Sequence, residues 1–94
     1  MHSTPPAPVA ITVVHSPACH FCDDARAALT DLGTEFPLSV EFVDCTAPRG
    51  AALTREHRAG MYPLVLFDGG YFSAGRLPRK KLRAQLTARF AAVA

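Results

Sequence analysis

Apolar residues recur along the chain at two spacings, one typical of strands and one typical of helices. Residues 9–14 form a continuous apolar run that stops before Pro17, which is typical of a short buried strand. From Cys19 to about Leu32 the apolar positions follow a helical stripe, and Gly33 is placed to end that helix. The first third of the chain therefore predicts a strand followed by a helix.

The same two spacings continue through the rest of the chain. They predict three more strands and two more helices, at residues 40–44, 63–67 and 71–74 and at residues 48–59 and from 78 onward. The glycine-rich turn at 68–70 is a strong hairpin signal. Two βα alternations favour parallel pairing in the first half, and the hairpin adds an antiparallel strand. We therefore expect an α/β fold of order βαβαββα, a four-stranded mixed sheet with helices on both faces.

The size and composition of the chain indicate one small globular domain. Of 94 residues, 49% are hydrophobic and 19% are charged. Residues 1–8 contain three prolines and are expected to form a disordered tail, which leaves 9–94 as the domain. No apolar run approaches the roughly 20 residues of a membrane span, and the first residues lack the pattern of a secretory signal. We expect a cytoplasmic protein without membrane contact.

The strongest chemical clue is the pair Cys19 and Cys22 at the first strand–helix junction. A thiol in the first turn of a helix faces unpaired backbone N–H groups and the positive end of the helix dipole. Both favour the thiolate, which is the nucleophilic form. Cys22 follows one turn later, within reach of Cys19. This arrangement predicts a redox dithiol, and His20 between the cysteines is placed either to tune it or simply to be solvated.

Three segments resemble the glutaredoxin family. Residues 16–22, which read SPACHFC, resemble its active-site loop. Residues 61–69 are similar to the segment that carries its cis-proline and hairpin, and 73–75 to the small residues before its last helix. The resemblance covers residues 9–92 and is closest to short bacterial glutaredoxin-like proteins of the thioredoxin superfamily. It implies a thioredoxin-like fold of the glutaredoxin type; thioredoxin proper is matched less well, because the chain has no tryptophan.

The resemblance also implies roles for individual residues. Cys19 would attack a disulfide and Cys22 would resolve the product. Pro63 would be the cis-proline that faces the dithiol, and Tyr62 before it would present its backbone to an extended substrate. The set of implied substrate- or thiol-binding residues is Tyr62, Pro63, Gly75 and Arg76.

The implied activity is reduction of protein or mixed disulfides, with no tightly bound cofactor and no metal. An external thiol, glutathione or another low-molecular-weight thiol, would restore the dithiol, and disulfide-containing proteins or small thiols would be the partners of a monomer. The chain departs from the family where glutathione is normally held, at Ser16, His20-Phe21, Met61-Tyr62 and Arg76. The identity of the reductant therefore stays open.

Other classes of function compete with this one. Two thiolates suit copper(I) or zinc, but the element order differs from that of copper chaperones and a zinc site would need two more ligands. A dimer that bridges an iron–sulfur cluster and a redox-inactive binding protein, with Tyr62 obstructing the groove, also stay open. Cys45 is expected to be a structural thiol.

The charge distribution raises the question of nucleic-acid binding. Six basic residues follow Asp68 and no acidic residue does: Arg76, Arg79, Lys80, Lys81, Arg83 and Arg89. No aromatic residues interleave with them as a stacking platform requires. We expect a solvated helix face and no nucleic-acid partner.

Overall fold

A computed structural model describes residues 6–91 of the chain. Its elements are β1 (Val9–His15), α1 (His20–Gly33), β2 (Leu38–Asp44), α2 (Pro48–Glu56), β3 (Leu64–Phe67), β4 (Gly70–Ala74) and α3 (Arg79–Ala91). The expected order βαβαββα is confirmed. Of the expected N-terminal tail, residues 1–5 lie outside the described residues, and residues 6–8 belong to no helix or strand. Within 6–91, no helix is both long enough and apolar enough to cross a bilayer.

The four strands form one mixed sheet in the order β2-β1-β3-β4. β1 and β2 are parallel, and β3 and β4 form the antiparallel hairpin. β3 is also antiparallel to β1, so two pairs are antiparallel where the sequence indicated one. The nine residues of α2 span only about 14 Å, against about 23 Å for the seven of β2. The chain therefore enters β3 near the end at which β2 finishes.

The sheet is buried on both faces, which explains the apolar run of β1, broken only by the buried Thr12. Val9, Ile11 and Val13 point to the face covered by α1 and α3, and Val14 points to the face covered by α2. The first face also buries Leu29 and Leu32 of α1 and Leu82 and Leu86 of α3. Each such side chain contributes about 1.5–3 kcal/mol by leaving water. The expected helices on both faces are confirmed.

Two helix ends differ from the expectation. Gly33 is the last residue of α1, and Thr34 caps the helix in a right-handed conformation, with its hydroxyl donating to the carbonyl of Asp31 at 2.7 Å. Because the Thr34 side chain caps the helix, a glycine in the left-handed conformation is not needed to end it. α2 ends at Glu56, because Arg58 takes a positive φ of 50° and turns the chain before Gly60.

Half of the basic cluster after Asp68 is paired with carboxylates. Arg79 binds Asp24, Arg83 binds both carboxylate oxygens of Glu35, and Arg89 binds Asp68. These pairs connect α3 to α1, to the turn after it and to the β3–β4 hairpin. Exposed pairs of this kind stabilise by about 0–1 kcal/mol each. Their main effect is to orient α3. These three arginines are therefore already paired with carboxylates of the protein itself.

Candidate functional site

Cys19 and Cys22 lie at the N-terminus of α1 and are joined by a disulfide, with their Cα atoms 5.1 Å apart. Cys19 is the N-cap residue, in an extended conformation, and its Sγ accepts a hydrogen bond from the Cys22 amide at 3.1 Å. The sulfur thus occupies the place that a serine or aspartate oxygen takes in ordinary helix caps. The placement expected from the spacing is confirmed.

The local sequence explains how the chain reaches this geometry. β1 ends at His15, and Pro17 cannot donate to a continuing sheet ladder. Ala18 takes a left-handed conformation with φ 50°, which reverses the chain direction just before Cys19. Asp23 in the first turn of α1 complements the helix dipole. The junction therefore exposes the first cysteine and starts the helix in the same step.

The two sulfurs differ in access to solvent. Cys22 is only 8% exposed and belongs to the buried side of α1. Cys19 is partly exposed and lines an open pocket of about 360 Å³, whose other walls are Ser16, Ala18, His20, Phe21 and Tyr62. A substrate disulfide can therefore reach Cys19 and not Cys22.

A second segment, residues 61–63, forms the side of the site opposite α1. The Tyr62–Pro63 peptide bond is cis, as the family resemblance implied. The carbonyl oxygen of Tyr62 lies 3.8 Å from Cys19 Sγ. In the disulfide the sulfur carries no hydrogen, so this is a contact; a reduced Cys19 thiol can donate to the same oxygen. Pro63 is buried, and its carbonyl accepts the Gly75 amide at 3.1 Å.

The side chain of Tyr62 does not stand across the pocket. Its hydroxyl lies 3.2 Å from the Thr54 hydroxyl on α2, and its ring packs against the cluster that includes Val14 and Leu64. The phenol is therefore directed toward α2, and Tyr62 contributes one wall of the pocket. Sequence reasoning did not single out Thr54, since a threonine in a polar helix carries no signal of such a contact.

The last two residues implied by the resemblance lie in different places. Gly75 has φ +98°, and a Cβ there would stand 3.4 Å from the sulfur of Met61, so Gly75 adjoins the segment that faces the dithiol. Arg76 is exposed and lines a separate groove of about 600 Å³ at the start of α3, together with Leu77, Pro78, Arg79, Lys80 and Lys81. The structure brings Gly75 to the site and leaves Arg76 in the neighbouring groove.

Two large apolar side chains near the dithiol are unusually exposed. Phe21, between the cysteines, is 40% exposed, and Met61 is 53% exposed.

Cys45 is a free, half-buried thiol that packs with the α2-side core, and its amide donates to the His15 carbonyl. Within the described part of the chain, no three His, Cys, Asp or Glu side chains come together as a set of metal ligands.

Ionisable groups with shifted pKa values lie outside the Cys19 pocket. The pKa of Asp68 is lowered by the hydrogen bond from the Ala10 amide and by Arg89. The Thr46 hydroxyl and amide lower the pKa of Asp44. The pair of Glu35 and Arg83 lowers the pKa of the acid and raises that of the base, chiefly through their hydrogen bonds. The lowered pKa values of the three carboxyl groups concern stability against acid.

Comparison with known proteins identifies the fold. No family model matches the sequence, and no curated protein matches it either. Among solved structures, an uncharacterised thioredoxin-like protein from Clostridium perfringens superposes with a TM-score of 0.70 at 12% identity, over 86% of this chain and 70% of that one. The chain has a thioredoxin-like fold. Thioredoxin from Fasciola hepatica (TM-score 0.60, 17% identity, 86% and 80% covered) and a mutant thioredoxin from Halobacterium salinarum (0.61, 15%, 85% and 73%) are also similar.

The thioredoxin-like fold expected from the sequence is thus confirmed. The structure itself contains the disulfide across the Cys-x-x-Cys pair. These three neighbours carry the names of thioredoxins and thioredoxin-like proteins, and none carries that of a glutaredoxin. At this level of identity the likeness establishes the fold.

Proposed function

We propose that the protein is a thiol–disulfide oxidoreductase that reduces protein or mixed disulfides through Cys19 and Cys22. One observation carries the proposal: the sulfur that lines the open pocket is also the one that accepts the Cys22 amide at the start of α1. A hydrogen bond to the charged form, added to the helix dipole, favours the thiolate. Accessibility and nucleophilicity therefore coincide on one sulfur.

The proposed cycle begins with the reduced dithiol. The Cys19 thiolate attacks one sulfur of the substrate disulfide; a Cys19–substrate bond forms, the substrate bond breaks, and the leaving sulfur takes up a proton from solvent. Cys22, once deprotonated, then attacks Cys19 Sγ and displaces the second substrate thiol. The substrate has gained two electrons and two protons, and the protein is left as the Cys19–Cys22 disulfide. The Cα separation of 5.1 Å lets this bond form without moving the backbone.

An external thiol of low molecular weight, glutathione or another, completes the cycle by reducing the Cys19–Cys22 disulfide. We propose that the protein acts in this glutaredoxin-like manner as a monomer in the cytoplasm, where a free thiol such as Cys45 stays reduced. No tightly bound cofactor takes part in these steps.

We assign supporting roles to the residues around the dithiol. The free carbonyl of Tyr62 would accept an N–H from an extended substrate, in the manner of an added strand, and Pro63 and Gly75 would shape that edge. Arg76 would reach a carboxylate of a small thiol or acidic partner from the neighbouring groove. Protonated His20, exposed on the pocket wall, would tune the thiolate.

Single cysteine variants test the proposal. Cys19→Ser should abolish insulin reduction with dithiothreitol as the reductant, because it removes the nucleophile. Cys22→Ser, reduced beforehand and mixed with insulin after dithiothreitol has been removed, should stop at the mixed disulfide, which accumulates and is visible by mass spectrometry. Cys45→Ser is the matched control and should leave turnover unchanged. Full activity in Cys19→Ser would refute the proposal.

A further inference from the structure

We propose that Thr54, on α2, is a positioning residue that fixes Tyr62 at the edge of the Cys19 pocket. The inference rests on the proposed function and goes beyond it, since Thr54 does not line that pocket. It links a helix on the far face of the sheet to the carbonyl that lies beside the reactive sulfur. Three observations support this inference.

The first point is the direction of the hydrogen bonds. The Thr54 hydroxyl donates its single hydrogen to the carbonyl of Gly50 at 2.8 Å. In the 3.2 Å contact between the Thr54 and Tyr62 hydroxyls, Tyr62 must therefore be the donor and Thr54 the acceptor. The chain of bonds runs from the Tyr62 phenol through Thr54 to the backbone of α2. A valine at position 54 would break both bonds, whereas a serine would keep them.

The second point is that α2 is itself held in place. Gly50, in its first turn, packs so closely on the end of β2 that a Cβ would collide with the Asp44 carbonyl. Tyr62 and Leu53 of α2 both pack against the core cluster on this face. Thr54 therefore offers Tyr62 a fixed acceptor, since its own helix is fastened to the sheet one turn earlier.

The third point is what the anchor holds. Among residues 6–91, the carbonyl oxygen of Tyr62 accepts no backbone hydrogen bond, and it lies 3.8 Å from Cys19 Sγ. An unpaired carbonyl at this position suits an N–H of an extended disulfide substrate. Fixing Tyr62 by its phenol removes freedom that such a substrate would otherwise have to restrict on binding. Thr54 thus acts through Tyr62 on substrates that use the main chain, and not on the sulfur chemistry itself.

The test compares a substrate with a peptide backbone and one without. Thr54→Val and Tyr62→Phe should each raise KM for insulin about three- to ten-fold, the size of one lost hydrogen bond. In Thr54→Val, kcat should stay within two-fold of wild type. KM of Thr54→Val for hydroxyethyl disulfide should stay unchanged, since this small substrate has no N–H to pair. Thr54→Ser should restore the wild-type KM for insulin. The double variant should be no worse than either single variant, because both remove the same contact.

Each result has a distinct meaning. Equal KM values for insulin in wild type, Thr54→Val and Tyr62→Phe would overturn the inference while leaving the proposed function intact. Parallel increases for both substrates would also overturn it, because they indicate general damage to the site. If Thr54→Val fails to fold, Tyr62→Phe decides alone, since it leaves the bond from Thr54 to Gly50 in place. A wild-type protein that reduces neither substrate would overturn both proposals.

Discussion

The amide of Cys22 donates to the sulfur of Cys19 across 3.1 Å, so the two cysteines are connected by a backbone-to-side-chain hydrogen bond as well as by the disulfide. The bond belongs to the helix cap and needs only that α1 begin at His20. When the disulfide is reduced, the same amide is in place to stabilise the thiolate. The helix cap therefore has the same geometry in the disulfide form and in the reduced form.

His20 should raise the thiolate fraction of Cys19. It lines the pocket together with Cys19, where a cationic imidazole would favour the thiolate by its positive charge. We expect His20→Asn to move the alkylation profile of Cys19 upward by roughly half a pH unit, the size of one screened charge at several ångströms. His57→Asn, at the C-cap that follows α2, is the control. Identical profiles for wild type and His20→Asn would leave His20 with no tuning role.

Arg76 should matter only for substrates that carry a carboxylate. It is exposed in a groove that shares no lining residue with the Cys19 pocket, where it can pair with an acidic group without touching the sulfurs. Arg76→Gln should raise KM for a glutathionylated peptide about two- to five-fold, as expected for an exposed ion pair. KM for hydroxyethyl disulfide should not change, and Arg55→Gln on α2 should change neither. An equal effect on both substrates would show that Arg76 supports the fold and not recognition.

Gly50 and Gly33 should respond in opposite ways to alanine. A Cβ at Gly50 would strike the backbone of Asp44, whereas a Cβ at Gly33 would meet nothing within 4 Å. We expect Gly50→Ala to lower the free energy of unfolding by about 1–3 kcal/mol, and Gly33→Ala to raise it by about 0.5–1 kcal/mol. Urea unfolding of both variants checks this. A Gly50→Ala variant as stable as wild type would mean that α2 does not pack on β2 as described.

Asp68 should make the fold sensitive to acid. Its carboxylate accepts the Ala10 amide at 3.0 Å and pairs with Arg89, and these bonds hold its pKa below the ordinary value. The stabilisation is therefore complete above the unfolded-state pKa, about 3.9, and is lost as pH falls through the lower folded-state value. Asp68→Asn keeps an acceptor for Ala10 and removes the titration.

The expected result is a smaller loss of stability for Asp68→Asn between pH 5 and pH 2 (roughly the window of carboxylate titration), measured by urea unfolding at each pH. Asp31→Asn, an exposed residue of α1, is the matched control and should follow the wild-type curve. If the Asp68→Asn curve coincides with that of wild type, the Ala10 and Arg89 contacts contribute nothing to acid stability.

Local rules recovered most of this architecture from the sequence. The apolar run of β1, the glycine hairpin and the stripe of α1 depend on neighbouring residues, and each appears within a few residues of its expected bounds. Features set by tertiary contact were not visible. The left-handed turn at Arg58 ended α2 early, and β3 turned out antiparallel to β1. Neither carries a local sequence signal.

The site shows the same division. The positions of Cys19 and Cys22 followed from spacing and helix-cap physics, because a cap is a local structure. The direction of the Tyr62 side chain did not, because it depends on a hydroxyl of α2 eight residues earlier in the chain. The basic cluster is another example: Arg79, Arg83 and Arg89 find their carboxylates only when α3 packs in the fold.

We propose that Cys19 is a nucleophile because the N-terminus of α1 stabilises its thiolate. The most direct measurement is the rate of Cys19 alkylation by iodoacetamide against pH, in the Cys22→Ser, Cys45→Ser double variant, where Cys19 is the one remaining thiol. The account predicts a midpoint at least one unit below that of an ordinary thiol, about 8.5. A midpoint at or above that value, with slow alkylation at pH 7, would contradict it.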